Sequence, residues 1–253
     1  MPRILTYNVH RCIGIDGQLS PQRIANVIAP CQPDIVCLQE LDVGRVRTRG
    51  VDQAHAIARE LGMHMLFHAA LKVMEEQYGN AVLTARPARL VKAGPLPGVR
   101  LRPFLEPRGA LWAAVEAGGA AVQVITTHLG LSRHERRAQI EELLGPHWLG
   151  HPECGQPAIL AGDFNAVPRS GGYRRLASRM QDAQYLLDGH RPQPTYPSRY
   201  PLMRIDHVFV SGLVEVQRVE IVRSPLARVA SDHLPLLVDL AQFDGRGTRS
   251  GLV

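Results

Sequence analysis

The sequence predicts one mixed α/β domain in which two β-sheets pack face to face and helices cover their outer sides. Short apolar runs of strand length alternate with amphipathic helical segments throughout the 253 residues. No low-complexity linker divides the chain, which is long enough for one large core. The domain is predicted over residues 1–242, and the Gly- and Arg-rich residues 243–253 are predicted to be a disordered tail.

A series of short apolar runs, separated by turn residues, predicts the strands. In chain order they lie near residues 3–10, 35–38, 64–70, 78–85, 88–93, 109–116, 121–128, 158–163, 204–211, 214–222 and 234–241. The second strand is predicted to end at Gln39-Glu40. The crowding of so many strands between the helices favours two sheets over one.

Four segments predict helices from their capping residues and apolar faces. Ser20 caps the first helix and Asp52 begins the second. Ser132 and Glu135 match a capping box at the start of the third. Its predicted apolar face contains Ile140, Leu143, Leu144 and Trp148. A fourth, short helix is predicted near residues 171–179.

Composition and charge narrow the function classes. Hydrophobic residues make up 45% and charged residues 21%, as in ordinary soluble domains, and the net charge of +6 suits an anionic substrate. No run approaches the ~20 apolar residues of a membrane span. The N-terminus lacks the features of a signal peptide, so a cytoplasmic location and reduced cysteines are expected. P-loop, G-x-G-x-x-G, G-x-S-x-G and H-E-x-x-H patterns are absent from the sequence.

Polar side chains repeatedly stand where an apolar strand ends or begins. They are Asn8, Glu40, His128, Asp163, Asn165, Asp206, His207, Asp232 and His233. Each alone has an ordinary structural explanation, such as a turn amide, a solvated carboxylate or an edge histidine. Because the pattern recurs at six separate places, it favours one shared site at the rim of the sheets.

The chemistry that these groups allow is hydrolysis of a phosphoester. Glu40 together with Asp163 or Asp232 offers hard oxygen ligands, which suit Mg²⁺ or Mn²⁺. Such an ion neutralises the phosphoryl and leaving oxygens. A carboxylate and an amide can orient a water molecule, and a histidine can stabilise developing charge or move a proton.

The motifs that carry these residues occur in an order that resembles the endonuclease/exonuclease/phosphatase superfamily, which has the DNase I-like fold. They are LTYNVH, IVCLQEL, YGNAVLTARP, TTHLG, LAGDFNAVP, RIDHVFVS and SDHLPLLVDL. The resemblance spans nearly the whole chain. It implies a four-layer α/β sandwich, in which two mostly antiparallel sheets are flanked by helices and the site lies at one edge.

The resemblance also implies roles for individual residues. On the metal side it implies Asn8, which holds a metal-binding acid or the phosphate, together with Glu40 and Asp232. The implied catalytic residues are His128, Asp163, Asn165, Asp206 and His233. In this set, Asp163 and Asn165 orient water and phosphate, and His128 assists the leaving group. Asp206 orients His233, which shares the role of general base with Asp163.

Two further residues are implied phosphate contacts. Asn80 and Arg108 lie in the matching YGN and EPRGAL stretches, although a turn amide and a surface arginine explain them equally well. The chain also departs from the abasic-site enzymes of the superfamily. His10 stands where those enzymes tend to carry an acid, and TTHL replaces a segment that contains tyrosine.

The predicted function is that of a Mg²⁺- or Mn²⁺-dependent phosphodiesterase, expected to be a monomer without a stable protein partner. Net charge favours nucleic acid as the substrate, as do Arg133, Arg136 and Arg137 near His128, unless those arginines only form a solvated helix face. A phospholipid or sphingomyelin-type phosphodiesterase is the first alternative, with apolar residues at 129–131 and 201–203 near the rim. A small-molecule phosphatase and a non-catalytic binding module on the same fold are the others.

Overall fold

Two six-stranded sheets pack face to face with helices on their outer sides, so the predicted four-layer α/β sandwich is confirmed. The computed structural model describes residues 2–98, 106–117, 120–212 and 214–241. The predicted tail over 243–253 lies outside the described residues. Within those ranges, no helix is both long and apolar enough to cross a membrane.

Twelve strands and five α-helices make up the described part of the fold. The strands are β1 (Arg3–Asn8), β2 (Ile35–Val43), β3 (His64–Val73), β4 (Glu76–Thr84), β5 (Ala88–Pro95), β6 (Gly109–Ala117), β7 (Ala120–His128), β8 (Ala158–Asp163), β9 (Gln181–Asp182), β10 (Asp206–Val210), β11 (Val216–Ile221) and β12 (Leu236–Leu240). The helices are α1 (Pro21–Ile28), α2 (Gln53–Leu61), α3 (Arg133–Leu144), α4 (Gly171–Ala177) and α5 (Ala227–Ala230).

Each sheet contains one parallel pair among antiparallel neighbours. The first sheet has the order β11-β12-β1-β2-β4-β3, with β1 and β2 parallel. The second has the order β5-β6-β7-β8-β10-β9, with β7 and β8 parallel. Helices α1 and α3 lie in the two parallel connections, because parallel strands require a crossover.

These strand directions bring the candidate residues to one edge. The carboxyl ends of the two strands in each parallel pair lie side by side. Strands β10 and β12 run antiparallel to β8 and β1, so their amino ends lie beside those same carboxyl ends. A hydrogen bond between the side chains of Asn8 and Asp163 joins the edges of the two sheets.

The helix starts follow from local capping. The side chains of Ser20, Asp52 and Ser132 each accept a hydrogen bond from a backbone N–H in the first turn of their helix. The expected capping box at Ser132 is only half formed, because the carboxylate of Glu135 lies beneath Gly130 instead. These caps are set by residues close in sequence, which is why the sequence predicts the helix starts well.

Two apolar layers hold the sandwich together. The larger one fills the space between the sheets and extends beneath α1 and α2, with Ile4, Val36 and Ile57 fully buried. The smaller one lies between the second sheet and helices α3 and α4, with Ile140 and Leu160 fully buried. Burying such side chains stabilises the fold by about 1.5–3 kcal/mol each, before the entropy cost of ordering them.

Several element boundaries differ from the sequence prediction, and three of them show why. Strand β2 continues to Val43 through an irregularity after Leu38, rather than ending at Gln39-Glu40. Strand β10 begins at Asp206, two residues later than predicted. Helix α3 ends at Leu144, and Trp148 lies in the following turn, where it is still buried in the smaller apolar layer. In each case tertiary pairing or packing decides the boundary.

Candidate active site

The opening of the GDFN stretch depends on a glycine. Gly162 has a φ of +151°, and a β-carbon there would collide with the carbonyl oxygen of Thr127. Glycine therefore lets β8 approach β7 closely up to its last residue. Asp163 then pairs in register with His128 on one side and with Asp206 on the other.

Two functional candidates have left-handed backbone conformations. Glu40 has a φ of +61° and lies at the bulge where the register between β2 and β4 shifts after Leu38. Asn165 has a φ of +47°, and its backbone N–H donates to Oδ1 of Asp163 at 2.8 Å. Such conformations cost roughly 1–3 kcal/mol and are concentrated at functional sites. The bulge turns Glu40 out of the strand pattern toward Asn8.

Asn8 joins the two carboxylates at the centre of the site. Its Nδ2 donates to Oε1 of Glu40 at 2.9 Å and to Oδ2 of Asp163 at 3.0 Å. Its Oδ1 accepts the backbone N–H of His10 at 3.0 Å. Both ends of the amide therefore have partners, and Nδ2 holds the two carboxylates in place. A place for Asn8 among the metal-binding residues stays a prediction.

Asp206 and His233 form a buried ion pair. Nδ1 of His233 donates to Oδ2 of Asp206 at 2.8 Å, and the Thr195 hydroxyl donates to the same oxygen. Burial lowers the pKa of His233, but the charges of Asp206 and Asp163 outweigh it and raise the pKa to about 10. His233 is therefore a cation at neutral pH, with Nε2 lying 3.7 Å from Oδ2 of Asp163.

His128, in contrast to His233, is neutral. Burial lowers its pKa well below 6.5, and the neighbouring Arg108 lowers it further. Nη1 of Arg108 lies 3.0 Å from Nδ1 of His128, and a guanidinium can only donate, so Nδ1 is the acceptor. The neutral ring therefore carries its proton on Nε2, 3.5 Å from Oδ2 of Asp163. The Asn165 amide, 3.1 Å from the same nitrogen, donates instead to the carbonyl of Leu129 at 2.9 Å.

Asp163 lies between these two histidines and is almost fully buried. Burial raises the pKa of its carboxyl group, Asp206 raises it further, and His233 opposes the rise, so that the pKa is about 6. A carboxylate with such a pKa can hold or accept a proton near neutral pH. The arrangement suits activation of a water molecule at this position.

The donor atoms of the site fit a hard divalent cation at Glu40. This carboxylate is partly exposed, and among the described residues only its Oε1 accepts a hydrogen bond. Ligand atoms of Asp163, Asp206 and His233 also lie within 4.8 Å of one another. Within that trio, Asp206 and His233 are hydrogen-bonded to each other at 2.8 Å. Oxygen ligands with room for water are what Mg²⁺ and Mn²⁺ prefer.

The remaining predicted residues lie at different distances from this centre. Asp232 is at the partly exposed rim, where its Oδ1 lies 3.8 Å from Nδ1 of His10. Asn80 is buried and donates to the carbonyl of Gly109 at 3.1 Å, so it supports the start of β6 next to Arg108. The structure brings the predicted set together at one edge, with Asn80 and Asp232 at its margins.

A second polar network lies beneath the site, and no sequence pattern predicts it as a unit. His207 does not face the site. Its Nδ1 lies 3.3 Å from Oδ2 of Asp182, and its Nε2 lies 2.9 Å from the carbonyl of Ala166. Arg204 and Tyr173 each contact the same oxygen of Asp182 at 2.7 Å. This network fixes the loop that carries Asn165 and the segment that leads to Asp206.

With this geometry established, the comparisons identify the chain as a member of the Endonuclease/Exonuclease/phosphatase family, whose sequence model matches residues 5–233. The chain is 26% identical to the uncharacterized protein YbhP of Escherichia coli strain K12. The alignment of 250 residues covers 94% of this chain and 95% of YbhP. Members of the family are hydrolases of phosphate esters, so the family supports a phosphoesterase.

Two solved structures share the fold. One is an endonuclease/exonuclease/phosphatase from Beutenbergia cavernae DSM 12333, with a TM-score of 0.76, 25% identity and coverage of 95% of this chain and 71% of that chain. The other is the mannosyl-6-phosphatase Bt3783 of Bacteroides thetaiotaomicron VPI-5482, with a TM-score of 0.74, 21% identity and coverage of 95% and 100%. These likenesses show that the fold is shared.

Proposed function

We propose that the protein is a divalent-metal-dependent phosphodiesterase that hydrolyses P–O bonds by in-line attack of water. The observation that carries the proposal is the position of Asp163. Its Oδ2 lies 3.5 Å from Nε2 of His128 and 3.7 Å from Nε2 of His233. A carboxylate between a neutral and a charged imidazole can orient water on one atom while the two rings contact different oxygens of a phosphate.

Each side chain then has a separate task. Asp163 orients the water and accepts its proton as the new P–O bond forms. The His233 cation stabilises negative charge on the phosphoryl oxygens, and Nε2–H of His128 donates a hydrogen bond to the oxygen that leaves. Mg²⁺ or Mn²⁺, held by Glu40 and by Asp232 at the rim, would supply further charge neutralisation. Asn8 keeps Glu40 and Asp163 in register.

Nucleic acid is the favoured substrate. The net charge of +6 attracts polyanions, and all but two of the 29 Lys and Arg residues are arginine, which binds phosphate with two parallel hydrogen bonds. Arg108 lies against His128 at the centre of the site and adds a positive charge there, which suits an anionic phosphodiester.

Turnover of bis-p-nitrophenyl phosphate with Mg²⁺ or Mn²⁺ tests the proposal. Asp163→Asn and His233→Ala are expected to lower kcat by ~10³-fold or more, since each removes a group that acts on the reacting atoms. Asp188→Asn and His55→Ala, at exposed positions, serve as matched controls. EDTA is expected to abolish the activity. Wild-type rates in either site variant would contradict the mechanism.

A lipid headgroup is a second candidate, because exposed apolar side chains lie near the rim. Leu131 is 67% exposed and Leu202 is 82% exposed, whereas Leu129 is fully buried. The loop that carries Leu202 adjoins the site through Tyr196, whose ring centroid lies 4.8 Å from that of His233. Hydrolysis of phospholipid or sphingomyelin vesicles without hydrolysis of nucleic acid would favour this candidate.

Two less favoured functions are tested with the same purified protein. A small phosphomonoester substrate is suggested by the phosphatase that shares the fold, and a panel of sugar phosphates tests it. A non-catalytic binding module predicts no tight Mg²⁺ or Mn²⁺ binding, which calorimetric titration measures directly. A monomeric state and a cytoplasmic location stay predictions.

A further inference from the structure

A strongly basic groove lies beside the candidate active site. It runs between α3 and the start of α4 and has a volume of ≈ 660 Å³. Its lining includes Arg133, Arg136, Arg137, Arg175, Glu141 and Ser170. The groove is distinct from the cluster around Asp163, and the reaction proposed above does not use it.

The arginines of the groove differ in what they contact. Arg175 and Glu141 neutralise each other through two hydrogen bonds of 2.8 and 2.9 Å. Arg136 donates to the carbonyls of Gly130 and Leu131, so it has a structural role. The exposed Arg133 and Arg137 have no carboxylate within 4.0 Å among the described residues. Two guanidinium groups are therefore free to bind an anion.

The groove is physically connected to the site. Gln139 of α3 accepts the backbone N–H of Gly130 at 2.8 Å, and Arg136 holds the carbonyls that follow. Helix α3 thus fixes the segment directly after His128. Burial and the charge of Arg133 lower the pKa of Arg136, and the charges of Glu135 and Asp163 oppose this. The wall of the groove and the catalytic centre are therefore close neighbours.

We propose that this groove binds a second phosphate group of a polynucleotide strand, next to the one being hydrolysed; this rests on the proposed function. Arg133 and Arg137 are one helical turn apart, about 6 Å along the axis. Both guanidinium groups can therefore contact the same phosphate group. The groove is lined mainly by charged and small residues, and Leu131 and Val167 lie outside its lining, so it does not resemble an acyl-chain site.

A binding measurement tests this without requiring catalysis. The fluorescence anisotropy of a labelled single strand of about 12 nucleotides is measured with the full chain in EDTA. In the double variant Arg133→Gln/Arg137→Gln, Kd is expected to rise roughly tenfold. The slope of log K against log salt is expected to fall by about 0.7, since one phosphate contact on a single strand contributes ~0.7.

Arg59→Gln/Arg86→Gln is the charge-matched control. Both positions are exposed, and Arg86 follows the end of β4 that pairs with the start of β2, at the opposite edge from the site. This control is expected to change Kd by less than about twofold, because it removes only long-range attraction. Equal weakening in both double variants would overturn the proposal, because it would show a general charge effect.

Hydrolysis of bis-p-nitrophenyl phosphate separates this proposal from the proposed function. That substrate has one phosphorus, so the groove variant is expected to hydrolyse it at the wild-type rate. A large loss there would overturn the proposal, since the groove would then act only by supporting His128. If the wild type lacks this activity but the groove variant still loses strand binding, the groove is supported and the proposed function fails. Loss of binding to phosphatidylglycerol vesicles with unchanged strand binding would also overturn it.

Discussion

Removal of the Asp182 carboxylate tests how the network beneath the site stabilises the fold. Asp182 is 5% exposed, and its Oδ2 contacts Arg204, Tyr173 and His207. Burial would raise its pKa, but the hydrogen bond and charge of His207, with Arg204 and Tyr173, lower it from 3.8 to about 2. In Asp182→Asn the carboxylate is replaced by an uncharged amide, so the charges of His207 and Arg204 no longer stabilise a negative group there. Arg204 also loses its counter-charge.

The magnitude follows from that pKa difference. At ~1.4 kcal/mol per tenfold change in proton affinity, the shift from 3.8 to about 2 corresponds to roughly 2–3 kcal/mol at neutral pH. The unpaired guanidinium of Arg204 adds to this, so the total loss expected is about 3–5 kcal/mol. The folded pKa is lower than the unfolded one. The contribution is therefore complete above about pH 4 and is lost as the pH falls toward 2.

The assay is urea unfolding followed by tryptophan fluorescence. The chain contains two tryptophans, Trp112 and Trp148, and each is 1% exposed, so unfolding changes their emission strongly. The difference in free energy of unfolding between wild type and Asp182→Asn is expected to be constant from about pH 7 to 5 and to shrink by roughly 1 kcal/mol at pH 3. Asp188→Asn, at an exposed position, is the control. A loss under about 1 kcal/mol at neutral pH, or a difference that does not shrink in acid, would refute the reasoning.

Two further predictions concern the edge of the second sheet. Gly162→Ala is expected to destabilise the protein by more than about 3 kcal/mol in urea unfolding, because its β-carbon meets the Thr127 carbonyl. Gly189→Ala, with a φ of +73° and open space around it, is expected to cost only about 1 kcal/mol, and equal losses would contradict the steric argument. In the metal-free protein, Asp206→Asn is expected to lower the pKa of His233 from about 10, because the charge of Asp206 is the main cause that raises it. An unchanged imidazole titration by NMR would show that Asp206 does not hold the proton on His233.

The sequence predicted those parts of the fold that depend on nearby residues. The caps at Ser20 and Asp52 and the start of strand β1 at Arg3 follow from local chemistry and apolar patterning, and the structure agrees. Strand β1 ends at Asn8, two residues earlier than predicted. The continuation of β2 to Val43 depends on pairing with β4 across the bulge at Glu40, which no local pattern encodes. The end of α3 before Trp148 likewise depends on how the following turn packs.

The candidate site shows the same division. The pattern of polar residues at strand ends correctly indicated that Asn8, Asp163 and His233 would meet at one edge. The same pattern also selected His207, which faces the buried Asp182 instead. Residues on β10 alternate between the faces of its sheet, so Asp206 and its neighbour point to opposite sides. The charge states of the two histidines depend on burial and long-range partners, which a sequence does not show.

In the proposed reaction, Asp163 and its two histidines direct water to phosphorus. The most direct test is hydrolysis of a short oligonucleotide in H₂¹⁸O with Mg²⁺ or Mn²⁺, followed by mass spectrometry of the product. With the wild type, one ¹⁸O atom is expected in the new terminal phosphate, and Asp163→Asn is expected to give almost no product. Unlabelled phosphate from the wild type, or labelled product at an equal rate from Asp163→Asn, would contradict the account.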